Sequence, residues 1–239
     1  AGSGADRHPA LAGTSLAMTQ LSEMIAKIAP AETPVLIRAE TGSLKEVVAQ
    51  AIHHASPRAA GPLLRMNGIG ETEERMEKEL FGNEATGAPG LVELARGGVL
   101  LIEEVSELTP RLQVRLLRLL QEGRLEPGKE GKEGAEVDFR LMATTSRDLS
   151  AVVARGAFRH DLFFRLNVFP FYIPPLRERP QDIAPMVACW LENHGRTLGR
   201  PSLGISPEAL RRLEAHSWPG NVRELENALE RATILAGAN

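Results

Sequence analysis

The nonapeptide Gly97-Gly98-Val99-Leu100-Leu101-Ile102-Glu103-Glu104-Val105 decides how the rest of the chain is read. Two glycines introduce a continuous apolar run of strand length, and two carboxylates end it. A run without polar alternation predicts a strand buried on both faces, as in a parallel sheet covered by helices. In such open sheets ligands sit beyond the carboxyl ends of the strands, which puts Glu103 and Glu104 where a ligand would be bound. This is the layout of a Walker B strand, in which one acid holds Mg²⁺ and the next orients the water that attacks a γ-phosphate. Taken alone, the nonapeptide is equally a strand that runs out into a solvated acidic turn, so the surrounding chain has to decide.

With 239 residues, 43% of them hydrophobic and 25% charged, the chain has material for one core and a smaller second one. Its 28 basic and 31 acidic residues leave a net charge of −3, which argues against a surface that binds nucleic acid by bulk charge. A single cysteine, Cys189, excludes an internal disulfide and a cysteine metal cluster; it is expected to be a small core residue in a reducing compartment. There is no run of eighteen apolar residues and no signal peptide, so a cytoplasmic protein without a membrane partner is expected. Residues 1–7 read as a flexible leader.

In TSLAMTQLSEMIAKIAP, Leu21, Met24, Ile25 and Ile28 fall at helical spacing, Thr14 or Ser15 caps the start and Pro30 ends the helix. Val35-Leu36-Ile37 predicts a short buried strand. It runs through Ala39-Glu40-Thr41-Gly42-Ser43-Leu44-Lys45-Glu46 into a second helix with Val47, Val48, Ala51 and Ile52 inward. Strand, turn and helix in this order is the phosphate-loop layout, where backbone N–H groups and the helix N-terminus cradle phosphates and a lysine reaches the terminal ones. Against the pattern of glycine, four residues, then Gly-Lys-Ser/Thr, the turn is incomplete: Ala39 and Leu44 replace the glycines, Glu46 stands at the hydroxyl position, and Gly42 and Lys45 remain. Leu44 is the main departure, because an isobutyl group beside the lysine is expected to crowd the phosphate or pull the loop out of shape. A plain βα turn with an exposed lysine satisfies the same residues.

Further along stand ELFGNE, VELARGGVLLIEEV, PRLQVRLLRLLQEG, FRHDLFFRLNVFP, PPLRERPQDI and WPGNVRELENALERA. Together, over roughly residues 8 to 237, these segments resemble the central AAA+ domain of bacterial enhancer-binding proteins, the NtrC-like activators of sigma-54 RNA polymerase. The resemblance implies an α/β fold, a parallel five-stranded sheet sandwiched by helices over residues 8–173, followed by a small all-helical lid over residues 174–239. The pattern of the chain agrees: strand-like runs at Val35, Leu63, Val99, Val137 and Val168 alternate with helical segments, and helical patterns at 183–198, 207–216 and 222–236 close the chain. Residues 128–136, GKEGKEGAE, read as a solvated loop.

The resemblance also implies site residues and an adenine nucleotide, ATP or ADP with Mg²⁺, as cofactor. Gly42, Ser43, Lys45 and Glu46 match the family's phosphate loop, Glu103 its metal acid, normally an aspartate, and Glu104 its catalytic glutamate. Asn67 matches the asparagine that engages that glutamate, although it would also cap the following turn. Thr145-Ser146 stands where the family commonly carries Thr-Asn, and the serine hydroxyl is expected to be too short to do what an amide does. Arg159 and Arg165 match arginines offered to a neighbour's nucleotide; pairing with Asp161 is their other reading. Arg223 matches the lid's second-sensor arginine, and Trp218 to Asn221 read as the lid's hinge and packing anchor.

One family element is reduced. Where the family inserts a long loop bearing GAFTGA, which touches the sigma factor, Glu84 is followed only by Ala85-Thr86-Gly87-Ala88-Pro89-Gly90. Two readings follow. In the first the chain is a regulatory module with weak or lost ATP binding and hydrolysis, unable to remodel sigma-54 polymerase, acting through weak self-association as a ring or dimer and through DNA bound by a helix-turn-helix domain outside it. In the second it is a working, atypical ATPase that remodels RNA polymerase or another transcription factor.

Overall fold

The computed structural model describes residues 11–83, 86–125, 135–197 and 203–236. The leader and most of the 128–136 loop lie outside them, as do Glu84 and Ala85. The described chain runs α1 (Leu16–Ile28), β1 (Val35–Arg38), α2 (Lys45–His54), β2 (Leu63–Asn67), α3 (Glu73–Phe81), α4 (Leu91–Leu94), β3 (Gly98–Glu103), α5 (Pro110–Glu122), β4 (Phe139–Thr145), α6 (Leu149–Ala154), α7 (His160–Leu166), β5 (Phe169–Tyr172), α8 (Ile183–Thr197), α9 (Pro207–Ala215) and α10 (Asn221–Leu235). Short 3₁₀ turns stand at Val105–Glu107, Leu176–Glu178 and Pro180–Asp182. No described helix is long and apolar enough to cross a membrane.

The chain divides into two compact units. One holds residues Ile25–Arg38 and Ala49–Tyr172, with the whole sheet; the other holds the residues up to Met24, Ala39–Val48, and those from Ile173 onward. In the first unit the five strands are parallel in the order β2-β3-β4-β1-β5. The expected strand β3 occupies a central place, and Val99 to Ile102 have no exposed surface. Burying each such side chain contributes about 1.5–3 kcal/mol, so this run alone gives the sheet its interior position. The amphipathic helix α5 is fixed at both ends: the Thr109 hydroxyl accepts from Leu112 N, Pro110 takes the first turn, and Gly123, left-handed at φ 66°, closes it.

Two strands begin later than the apolar runs suggest. β4 starts at Phe139, because Val137 N donates to Gly123 O at the end of α5 and so leaves the sheet ladder. β5 starts at Phe169. Cys189 is half-buried on α8 and is not a core residue; burial raises its thiol pKa.

Arg140, on β4, is only 1% exposed and donates from three nitrogens to Thr33 O (3.2 Å), Ala29 O (2.9 Å) and Ile28 O (2.9 Å). These are carbonyls at the C-terminal end of α1 and the turn after it, where a cation is favoured and where unmade hydrogen bonds are costly. The same guanidinium therefore fixes the chain immediately before β1. Arg140→Ala is expected to cost about 2–4 kcal/mol, the scale of removing a buried charged donor from several acceptors; a urea-denaturation midpoint indistinguishable from wild type would contradict this.

Candidate nucleotide site

The residues singled out by the sequence fall in both units. In the sheet unit, the carboxyl ends of β2, β3 and β4 stand side by side: Asn67 pairs in register with Glu103, and Ile102 with Ala143. The 3₁₀ turn after β3 is entered through Glu104, which is left-handed at φ 51° and ψ 57°. Its carboxylate is buried and accepts from Ser146 N at 2.7 Å and from Ser146 Oγ at 2.9 Å, while Thr144 Oγ1 accepts from Glu104 N at 3.3 Å. Both the amide and the hydroxyl of Ser146 thus engage the Glu104 carboxylate. Asn67 takes its second reading: it is exposed, and its Oδ1 accepts from Ile69 N at 3.0 Å, capping the turn.

Arg159 and Arg165 lie on α7 and its cap, both exposed. Arg159 pairs with Asp161 through Nη2–Oδ2 at 2.7 Å and Nε–Oδ1 at 3.0 Å, and Arg165 Nη2 donates to Leu120 O at 2.8 Å. Exposed pairs of this kind are weak and salt-sensitive. Gln113, which sequence reasoning missed, fixes the Arg159 backbone: it is 1% exposed, accepts from Arg159 N at 2.8 Å and donates to Leu108 O and Ala157 O. A polar residue on the apolar face of α5 was its only sequence signal.

In the helical unit, residues 39–46 form the phosphate-loop turn. Gly42 is left-handed at φ 79°, and a Cβ there would stand 2.2 Å from Gly220 O, so only glycine fits. Leu44 also adopts the left-handed region, at φ 55°. Leu44 thus adopts an angle that glycine reaches freely, with its side chain directed into the core: it is 8% exposed and belongs to a buried cluster with Val47, Trp218, Val222 and Leu225. The left-handed backbone costs a non-glycine residue about 1–2 kcal/mol, and burying a leucine contributes about 1.5–3 kcal/mol, so burial sustains the strain. The four non-glycine residues with positive φ among those described are Leu44, Glu104, Trp218 and Asn221, all within these site motifs.

Polar ties hold the other half of the turn, and of their donors Arg177 was not assigned from sequence, while Asn221 and Arg223 were read as lid anchor and sensor. Arg177 donates to both Glu40 oxygens (2.7 and 2.6 Å), Asn221 Nδ2 donates to Glu40 Oε2 (3.2 Å) and Thr41 O (3.1 Å), and Arg223 N donates to Gly42 O (3.1 Å). Asn221 is itself fixed by accepting from Leu176 N at 2.9 Å. The Arg223 side chain is exposed on α10. Lys45 is buried, not exposed, and its Nζ donates to Ala39 O at 3.3 Å.

Whether a phosphate suits this turn can be judged from its orphan groups. Ser43 Oγ is buried with no hydrogen-bond partner, directly before the N-terminus of α2, where N–H groups favour an anion. A phosphate oxygen is the acceptor such a hydroxyl lacks, and Lys45 supplies the charge. The residues fit the group, with Gly42, Ser43 and Lys45 holding phosphate and Glu46 in the first turn of α2. Glu103 ends β3 in the sheet unit, and its carboxylate is an oxygen donor of the kind Mg²⁺ prefers.

Comparison with known proteins bears on the same segments. A family profile described as "Sigma-54 interaction domain" matches residues 11–172, and one described as "AAA+ ATPase lid domain" matches residues 177–239. The chain is 46% identical over 226 residues to the response regulator protein FleR of Pseudomonas aeruginosa, covering 92% of this chain and 48% of FleR. It is 44% identical over 233 residues to the Nif-specific regulatory protein of Klebsiella pneumoniae, covering 95% and 44%. Among solved structures it is similar to NtrX of Brucella abortus in complex with ADP, at 40% identity and a TM-score of 0.87, over 95% of this chain and 52% of that one. NtrX in complex with ATP gives the same identity and TM-score. The chain spans about half the length of these relatives.

The Glu40 geometry yields a pH signature. Hydrogen bonds from Arg177, then from Asn221, hold its carboxyl at about 2 against an ordinary 4.5. The folded value is depressed, so the tie is complete above pH 4.5 and is lost as pH falls toward 2. Carboxyl NMR is expected to show Glu40 titrating near 2 in wild type and clearly higher in Arg177→Ala, where the Asn221 hydrogen bond remains; equal values in the two proteins would refute the tie.

Proposed function

Since this chain belongs to the sigma-54 interaction domain family and is the central AAA+ domain of an NtrC-like activator, we propose that it binds adenine nucleotide with Mg²⁺ and hydrolyses it slowly. The observation that carries this reading is the turn 39–46, left-handed at Gly42 and Leu44 and presenting a buried, unpartnered Ser43 hydroxyl before α2. NtrX, at 40% identity, takes both ADP and ATP. Relative to the sequence expectation, nucleotide binding is retained and the weakness falls on the chemistry.

Slow hydrolysis follows from the acidic end of β3. A carboxylate that must orient water is here held by two donors from Ser146, and each turnover has to break or share those bonds. Glu103 carries one methylene more than the family's aspartate, and a displacement of about 1 Å can cost on the order of 100-fold where positioning is the catalysis. We assign residues 8–173 to the AAA+ core and 174–239 to the lid. Self-association through the face carrying Arg159 and Arg165 is part of the proposal, as is regulation of transcription through domains of the longer protein.

Where the family carries its partner loop, Asn83 N donates to Ala88 O at 2.9 Å and Gly87 N to Asn83 O at 2.8 Å. Such a turn has no phenylalanine to offer a sigma factor, so remodelling of sigma-54 polymerase by the usual contact is not expected. The second reading, an ATPase motor acting on another transcription partner, is favoured by the exposure of both arginines. Steady-state turnover separates the two. Wild type is expected well below about 1 s⁻¹, the low end for ordinary enzymes, and Glu103→Asp with Ser146→Asn is expected to raise it about tenfold or more, without promoter opening. Turnover of about 1 s⁻¹ in wild type, abolished by Lys45→Ala, would overturn the slow-hydrolysis reading.

A further inference from the structure

We infer that Leu44 is a positioning residue for nucleotide binding: anchored in the core of the helical unit, its side chain holds the phosphate loop in its phosphate-accepting shape before any nucleotide arrives. The inference rests on the reading of residues 39–46 as a nucleotide site. It concerns a position at which the sequence departs from the phosphate-loop pattern, where the plain expectation is damage.

The geometry argues otherwise on three counts. First, Leu44 stands at the pattern's glycine position and adopts a left-handed angle, φ 55°, of the kind glycine reaches without strain. A glycine there would reach the same angle among many others and would be free to leave it; a leucine reaches it only because something holds the side chain. Secondly, the holder is identifiable. Leu44 is buried in the cluster that contains Leu176, Ile183, Trp190, Trp218 and Val222, the apolar interior shared by α8, α10 and the 3₁₀ turn before them. Thirdly, the anchor complements the polar ties. Arg177, Asn221 and the Arg223 amide engage residues 40, 41 and 42, and Leu44 fixes the loop two residues further on. Between the two sets of ties lies Ser43, the residue with the unpartnered buried hydroxyl. The loop is thereby gripped on either side of the group that would meet phosphate. Loop order and packing of the helices after Ile173 become one cooperative property, so loosening α10 releases the loop.

The test compares Leu44→Gly, Leu44→Ala and Leu44→Met in the full chain, by amide exchange of residues 43–46 and Arg223 without nucleotide and by calorimetric titration with ADP. Glycine and alanine are expected to speed exchange at these amides and to weaken ADP binding, each by about tenfold or more, the scale set by one buried leucine. Methionine, which keeps length and burial, is expected to stay near wild type in both. Tighter ADP binding by the glycine and alanine variants, with exchange unchanged, would show that the side chain obstructs phosphate and would overturn the inference while leaving the site intact. Wild type that binds no ADP would sink the reading of the site itself, and with it any role of Leu44 in binding. Should both truncations unfold, as judged by circular dichroism, Leu44→Gln against Leu44→Met decides: equal exchange and equal ADP affinity in that pair would also overturn the inference.

Discussion

Everything distinctive in the helical unit depends on how residues 40–44 are held. Four backbone or carboxylate acceptors, on Glu40, Thr41 and Gly42, are taken by donors on Arg177, Asn221 and Arg223, and the leucine two residues later is buried with the helices that carry those donors. Gly42 passes so close to Gly220 that a methyl group would collide with its carbonyl. Loops of this kind usually depend on glycine for their shape, and glycine gives freedom as well as access. Here the freedom is removed by packing, and the strain that results at Leu44 is offset by the apolar surface it buries. A phosphate-binding turn that is already ordered loses less entropy when its ligand arrives.

A different balance governs the acidic end of β3. Glu104 leaves the strand in a left-handed conformation and turns its carboxylate onto the amide and hydroxyl of Ser146. Two donors on one buried carboxylate make a stable arrangement, and stability of that group is what hydrolysis has to overcome. The turn 39–46 is ordered by its own ties, and the Glu104 carboxylate is engaged by Ser146.

The sheet was legible because a strand buried on both faces has no polar alternation, and Val99 to Ile102 can be read in no other way that also explains Glu103 and Glu104. The order of elements and the helical lid followed from periodicity and from the family's motifs. What could not be read was direction. That Leu44 turns into an apolar cluster, or that Ser146 compensates for its short side chain with its own amide, depends on backbone angles at single residues. The same holds for Asn67, for which both readings were chemically sound and the exposed turn-capping one is seen. Glu40, Arg177 and Gln113 were not assigned roles, and Asn221 was read only as part of the lid's anchor, because their partners are 137, 181 and 46 residues away in the chain. Contacts at such separations leave no periodic trace.

The central claim, that the helices after Ile173 pre-form the phosphate turn, is tested most directly by the heat capacity of ADP binding, measured calorimetrically over a range of temperatures. Burial of apolar surface makes this quantity negative, and folding coupled to binding makes it large, as when about 1,000–3,000 Å² is buried. The account predicts a single saturable site whose heat-capacity change is far smaller than that, since only the nucleotide and its immediate contacts lose water. A large negative change would show that the turn and its helices become ordered only on binding, and would contradict the account.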